Sequence, residues 1–176
     1  MGGIIGKILL FLTFPGAIIN SIIKQLFCRI FRVAVFDIAY FDLGNFSGYI
    51  EHEIPKKFST QLAMVVMPFI TGTLLGIAIA FPGTISIEDR GILHLMYFTS
   101  VWIGLSVVIH AVPKVTYAQK MLKTLWKNES SFLLKLSCSP FLALIYIANA
   151  MTYFELLSII YGLAVVYLPS LIVNRI

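Results

Sequence analysis

Asn20, Ser21 and Lys24 are three polar residues in an otherwise apolar stretch, Phe14-Pro15-Gly16-Ala17-Ile18-Ile19-Asn20-Ser21-Ile22-Ile23-Lys24-Gln25-Leu26-Phe27-Cys28-Arg29. Residues four apart share a face of a helix, so Asn20 and Lys24 reach toward one point with Ser21 beside them. A helix that binds zinc for hydrolysis carries His, Glu and His at those three places, two ligands and a general base. Here an amide, a hydroxyl and an amine stand there instead. The remaining candidates are His52, His94 and His110 and the two cysteines, Cys28 and Cys138. The cysteines have neither C-x-x-C spacing nor histidines at zinc spacing, so they read as small buried hydrophobes. His52 stands between Glu51 and Glu53, and on a strand these side chains alternate faces and do not converge on an ion. It reads as a solvated loop histidine, His94 as an interfacial one, and His110, close before Pro113, as a hydrogen-bonded packing histidine. All three are weak metal candidates, and no cofactor is implied. No Gly-rich phosphate loop, Ser-His-Asp arrangement or haem-ligating histidine pair is legible.

Composition sets what must hold these residues. Of 176 residues, 59% are hydrophobic and 12% charged, and the mean hydropathy is +0.94. Soluble domains are about half apolar and a quarter charged, so the chain reads as an integral membrane protein. Thirteen Lys and Arg against eight Asp and Glu make it basic. No nucleic-acid motif accompanies that charge, and the basic residues lie between apolar runs, where the positive-inside rule explains them.

Apolar runs of about 20 residues cross a bilayer as helices, and five are expected: about 3–23, 58–81, 91–112, 132–150 and 153–173. The first has only Lys7 as a basic flank and is too long for a cleavable signal peptide, so it reads as a retained span. Between the first two spans, Val33 to Leu43 is β-branched and aromatic, 44–48 is turn chemistry, and Tyr49 to Ile54 alternates again. That pattern predicts a small β-hairpin at the membrane surface. Over 117–128, Met121, Leu122, Leu125 and Trp126 face away from Lys120, Lys123 and Lys127, as in an interfacial amphipathic helix before the fourth span. The fold class is therefore membrane, mainly α, one domain over 1–176 whose last two spans, within about 131–174, form a helical hairpin. Lys24, Arg29, Arg32, Lys56, Lys57, Lys114, Lys120, Lys123, Lys127, Lys135 and Arg175 fall on one side and only Lys7 and Arg90 on the other. This predicts an outside N-terminus, with the basic loops and C-terminus cytoplasmic, in the plasma membrane.

Three pieces in order resemble the core of the intramembrane site-2 metalloproteases. The first is the Pro15 to Arg29 helix. The second is Gly48-Tyr49-Ile50-Glu51-His52-Glu53-Ile54-Pro55-Lys56-Lys57-Phe58 with Met67-Pro68-Phe69-Ile70-Thr71-Gly72-Thr73, similar to the family's surface hairpin and second core helix. The third is Trp102 to Ala118, similar to a segment in which an aspartate four residues after a proline supplies the third zinc ligand; after Pro113 that position is Tyr117. The likeness covers about 14–120. Carried over by position, it puts Asn20, Lys24 and Tyr117 where the ligands stand and Ser21 where the base stands. An ammonium is the opposite of what a divalent cation needs, and serine is no carboxylate base, so the resemblance implies a scaffold without protease activity.

The plain reading of Asn20 and Ser21 is interhelical hydrogen bonding, and of Lys24 a snorkelling helix-end lysine. The sharper one makes Lys24 a cationic plug in the vacated metal position. The function this implies is a non-catalytic accessory subunit, held to other membrane subunits through lateral helix contacts and bathed in lipid. Two alternatives are a metal protein or enzyme with a relocated site, His110 with His94 or His52, and a small transporter component. For the latter, the further interior polar residues are mainly Asn149 and Glu155, too few to define a pathway.

Overall fold

The computed structural model describes residues 8, 10–42, 44, 47–55, 57–85, 92–113 and 154–173. Among them the chain is mostly helical with one two-stranded antiparallel sheet: α1 (Phe14–Ile30), β1 (Val35–Asp42), β2 (Ser47–His52), α2 (Phe58–Ile85), α3 (Ile92–Ala111) and α4 (Phe154–Val173). The helices expected over 58–81, 91–112 and 153–173 are present within a few residues. The amphipathic segment 117–128, the run 132–150 and Cys138 lie outside the described residues.

The first apolar run departs from expectation at both ends. It is not one continuous helix from 3 to 23: helical residues 10–12 end in a turn at Thr13, and α1 begins anew at Phe14 with a proline in its first turn. Pro15 has no N–H, and its ring crowds the carbonyl four residues back, so a helix restarts there more readily than it continues. At the far end α1 runs seven residues beyond Ile23, because Lys24, Gln25, Leu26 and Arg29 are good helix formers although they close the apolar run.

A Schellman motif ends α1. Val33 N–H donates to the Cys28 carbonyl at 2.8 Å and Arg32 N–H to the Arg29 carbonyl at 3.1 Å. Arg32 takes the left-handed conformation at φ 54° that glycine usually fills.

The hairpin follows at once and lies back along α1. Ile38 pairs with Ile50 and Ala39 with Tyr49, with irregularities on either side that bend the ladder. Tyr40 Oη donates to Gln25 Oε1 at 2.9 Å. The Phe41 ring meets Phe14 edge-on at 6.2 Å. Gly48 sits so close over Ser21 Oγ that a Cβ there would collide with it. Within the sheet Tyr49 Oη donates to Asp37 Oδ2 at 2.7 Å.

α2 and α3 pack antiparallel, Gly76 beside Gly104 and Gly83 beside Tyr97. A Cβ on Gly104 would lie 2.5 Å from the Gly76 carbonyl oxygen and 2.6 Å from Ala80 Cβ, so the two backbones touch. Small residues at helix crossings permit such approach. α4 closes on this pair: Gly162 abuts Leu105 and Ile109, Tyr161 stacks tilted on Phe69 at 5.8 Å, and Val166 joins Ala80 and Val108 in the core. α3 contacts all three other helices.

Two outcomes check these local readings. Arg32→Gly removes left-handed strain and is expected to stabilise the fold by about 0.5–1 kcal/mol in chemical denaturation; a loss would show that the arginine side chain contributes more than the strain costs. The Asp37 carboxylate, first through its hydrogen bond and then through its charge, raises the Tyr49 phenol above its ordinary value. The folded value exceeds the unfolded one, so this tie is fully present below about pH 10 and is lost as pH climbs through the raised value. Tyrosinate absorbance of wild type minus Tyr49→Phe should show that phenol ionising late; ionisation at or below the ordinary value contradicts the bond.

Candidate functional site

At the turn the Gly16 N–H donates to the Thr13 carbonyl at 3.1 Å, and α3 supplies further partners for the backbone there. Trp102 Nε1 donates to the Leu12 carbonyl at 3.1 Å. Ser106 Oγ donates to the Thr13 carbonyl at 2.6 Å and accepts the Gly16 N–H at 2.8 Å. Asn20 Nδ2 donates to the His110 carbonyl at 2.6 Å. Leu12 meets Trp102, Gly16 meets Ser106 and Asn20 meets His110, each pair 90 residues apart. Two helices stepping together in fours run parallel along one seam.

His110 belongs to the same seam. Its Nε2 lies 3.0 Å from Thr13 Oγ1, and the Thr13 hydroxyl is directed at the Leu10 carbonyl at 3.3 Å. Which of the two donates follows the histidine tautomer.

The three residues at metal-helix spacing are thus divided among separate tasks. Asn20 is 6% exposed and Ser21 3%. Asn20 carries the last rung of the seam, and its Oδ1 is buried without a partner. Ser21 Oγ donates to the Ala17 carbonyl at 2.9 Å beneath Gly48. Lys24 instead lines a cavity of about 30 Å³, with Cys28 of α1, His52 of β2, Met64 and Pro68 of α2, and Pro113 after α3. Cys28 is buried there.

His52, expected as a solvated loop residue, is partly buried at this cavity and its Nδ1 donates to the Glu53 carbonyl at 2.8 Å. His94 and His110 stand 16 residues apart on α3, about 24 Å at 1.5 Å per residue, so they cannot share an ion. Tyr117, Asn149 and the side chains of His94 and Glu155 lie outside the described residues. Among the described residues, no three His, Cys, Asp or Glu side chains are placed to hold a metal.

Sequence reasoning gave Trp102, Ser106 and Thr13 no role. A signal for them existed: tryptophan, serine and histidine at i, i+4 and i+8 on an apolar helix form a polar stripe. No family model, curated protein or solved structure matches the chain, so the likeness to site-2 metalloproteases rests on the residues quoted above.

Ser106→Ala removes a partner from both the Thr13 carbonyl and the Gly16 N–H, leaving them only their mutual bond at 3.1 Å. It is expected to destabilise by about 1–3 kcal/mol in chemical denaturation, and Asn20→Leu by a smaller amount, because it also removes the orphaned Oδ1. A cost near zero for Ser106→Ala would contradict the seam.

Proposed function

We propose that this chain is an integral membrane protein built on a site-2-metalloprotease-like core without catalysis, serving as an accessory subunit of a larger membrane assembly. The observation that carries the reading is the use of the three chemistry-bearing positions. Asn20 bonds α3, Ser21 bonds its own helix beneath the hairpin, and Lys24 lines the cavity. None of these is the thiolate, imidazole or carboxylate from which protein zinc sites are built.

Two features support membrane residence. Ser59–Thr84 is long and apolar enough to span a bilayer, and Leu95–Ala111 and Ser158–Ile172 are shorter apolar helices. The outer faces carry large apolar side chains, among them Leu74, Leu95, Phe98 and Leu171, each more than 60% exposed. A surface of this kind is at home against lipid tails or neighbouring helices. Among the described residues, the surfaces open to partners are those helix flanks and the hairpin. Eleven basic residues against two favour a cytoplasmic placement of the hairpin end.

The test is isolation from native membranes in mild detergent, followed by size analysis and mass spectrometry. The reading predicts that the chain resists carbonate extraction and co-purifies with stoichiometric membrane partners. A stable lone monomer, or peptide cleavage by the isolated chain, would overturn the subunit assignment.

A further inference from the structure

On the membrane residence proposed above, the hairpin stands at a depth where its chemistry does not suit lipid. Near its tip Phe41 meets the Phe14 ring at 6.2 Å, and Phe14 meets Trp102 at 6.0 Å, halfway along α3. Gly48 rests over Ser21, whose neighbour Asn20 bonds the His110 carbonyl. The next residue of α3, Ala111, abuts Gly72, close to the middle of the apolar stretch Ser59–Thr84 of α2. At about 1.5 Å per residue from Trp102 to Ala111, the hairpin tip lies about 14 Å from the C-terminal end of α3. The strands carry Asp37, Asp42 and Glu51 and neither Lys nor Arg. Asp37, Glu51 and the turn residue Gly44 are exposed, and Asp42 accepts the Gly44 N–H at 3.0 Å. The sheet has two strands, so each keeps an outer edge that the ladder does not use. Hydrocarbon solvates neither an open edge nor a carboxylate; strand backbone at that depth is enclosed by protein or faces water. α1 packs against both strands, and the exposed carboxylates lie outside that contact.

We propose that this outer side of the hairpin borders a water-filled recess, open at the end of the bundle where α1 finishes and α2 begins, and reaching to about half the height of α3. The base of the hairpin sets the mouth. There the Glu53 N–H donates to the Ala34 carbonyl at 2.9 Å, just inside Arg32 and Lys57 in the chain, both exposed, and exposed basic side chains at helix ends belong in the headgroup layer. Water in the recess keeps the carboxylates and the strand edges solvated, which removes the cost of placing them at this depth. The chain thereby gains a surface within the bilayer that soluble molecules reach from the basic side.

The full chain carrying Cys138→Ser, with Cys28 buried, is labelled with a nitroxide at Gly44→Cys or Glu51→Cys on the hairpin, and at Leu74→Cys or Leu171→Cys on the outer helix faces. Each form is placed in nanodiscs of phosphatidylcholine and phosphatidylglycerol, and its collisions with oxygen and with a water-soluble nickel chelate are read by power saturation. The Leu74 and Leu171 labels are expected to meet oxygen and little nickel, the hairpin labels to meet nickel several-fold more than they do. Nickel at Leu74 and Leu171 would overturn the membrane residence itself. Lipid-like values there with oxygen alone at the hairpin, or with neither reagent reaching it, would overturn the recess, the second result showing protein over the hairpin. Should a hairpin variant fail to fold, hydrogen exchange of the unlabelled chain in the same discs decides: residues 35–52 should take up deuterium at their outer-edge amides while 68–81 stay protected, and equal protection of the two would overturn the proposal.

Discussion

The structure depends on how the interrupted start of α1 is satisfied. A chain that turns at Thr13 and restarts at Phe14 bridges the turn with the Gly16 N–H on the Thr13 carbonyl at 3.1 Å, and α3 adds partners for Leu12, Thr13 and Gly16. Backbone groups short of partners away from water are costly. Trp102 and Ser106 pair with all three, and Ser106, fully buried, both donates and accepts. Because these partners recur every four residues, they fix the rotation of α3 about its axis as well as its height along α1. The opposite side of α3 is then free to take α2 through Gly76 and Gly104, and α4 through Gly162.

The same seam decides what the polar residues of α1 do. Asn20 is its final rung, one turn from the end of α3, where the His110 carbonyl has no regular helical partner within the element. While its amide nitrogen makes the rung, its amide oxygen remains buried and unpaired, a cost that the seam bears. Ser21 is held on the opposite account: Gly48 brings the hairpin down onto it, leaving its hydroxyl to its own helix. Lys24, one turn further on, lines the cavity shared with the hairpin and α2. In a spacing suited to binding and activating at a single point, this chain directs three side chains to three different neighbours.

How far these features could be read without coordinates varies with their physical origin. Helices α2, α3 and α4 were legible because their apolar runs are long and bounded by polar or turn residues. The hairpin was legible from alternation about Gly44 and Gly48. The far end of α1 was not, since hydropathy reports apolarity while helix formation continues through Lys24, Gln25 and Arg29. The break at Thr13 was only half visible: Pro15 marks a helix start, and nothing local says that a serine ninety residues later will complete it. Gly48 gave no hint of its place over Ser21, because close approach between distant segments leaves no periodic trace. The placement of His52 beside Lys24 was missed for the same reason.

On the proposed reading, Asn20 and Ser21 serve packing and the Asn20, Ser21 and Lys24 positions bind no catalytic metal. This is tested most directly by an anomalous difference map at the zinc edge from protein purified and crystallised with zinc present. The account predicts no peak near these side chains, with the Asn20 amide resting on the His110 carbonyl. A zinc peak ligated by Asn20, by deprotonated Lys24, or by both would contradict it.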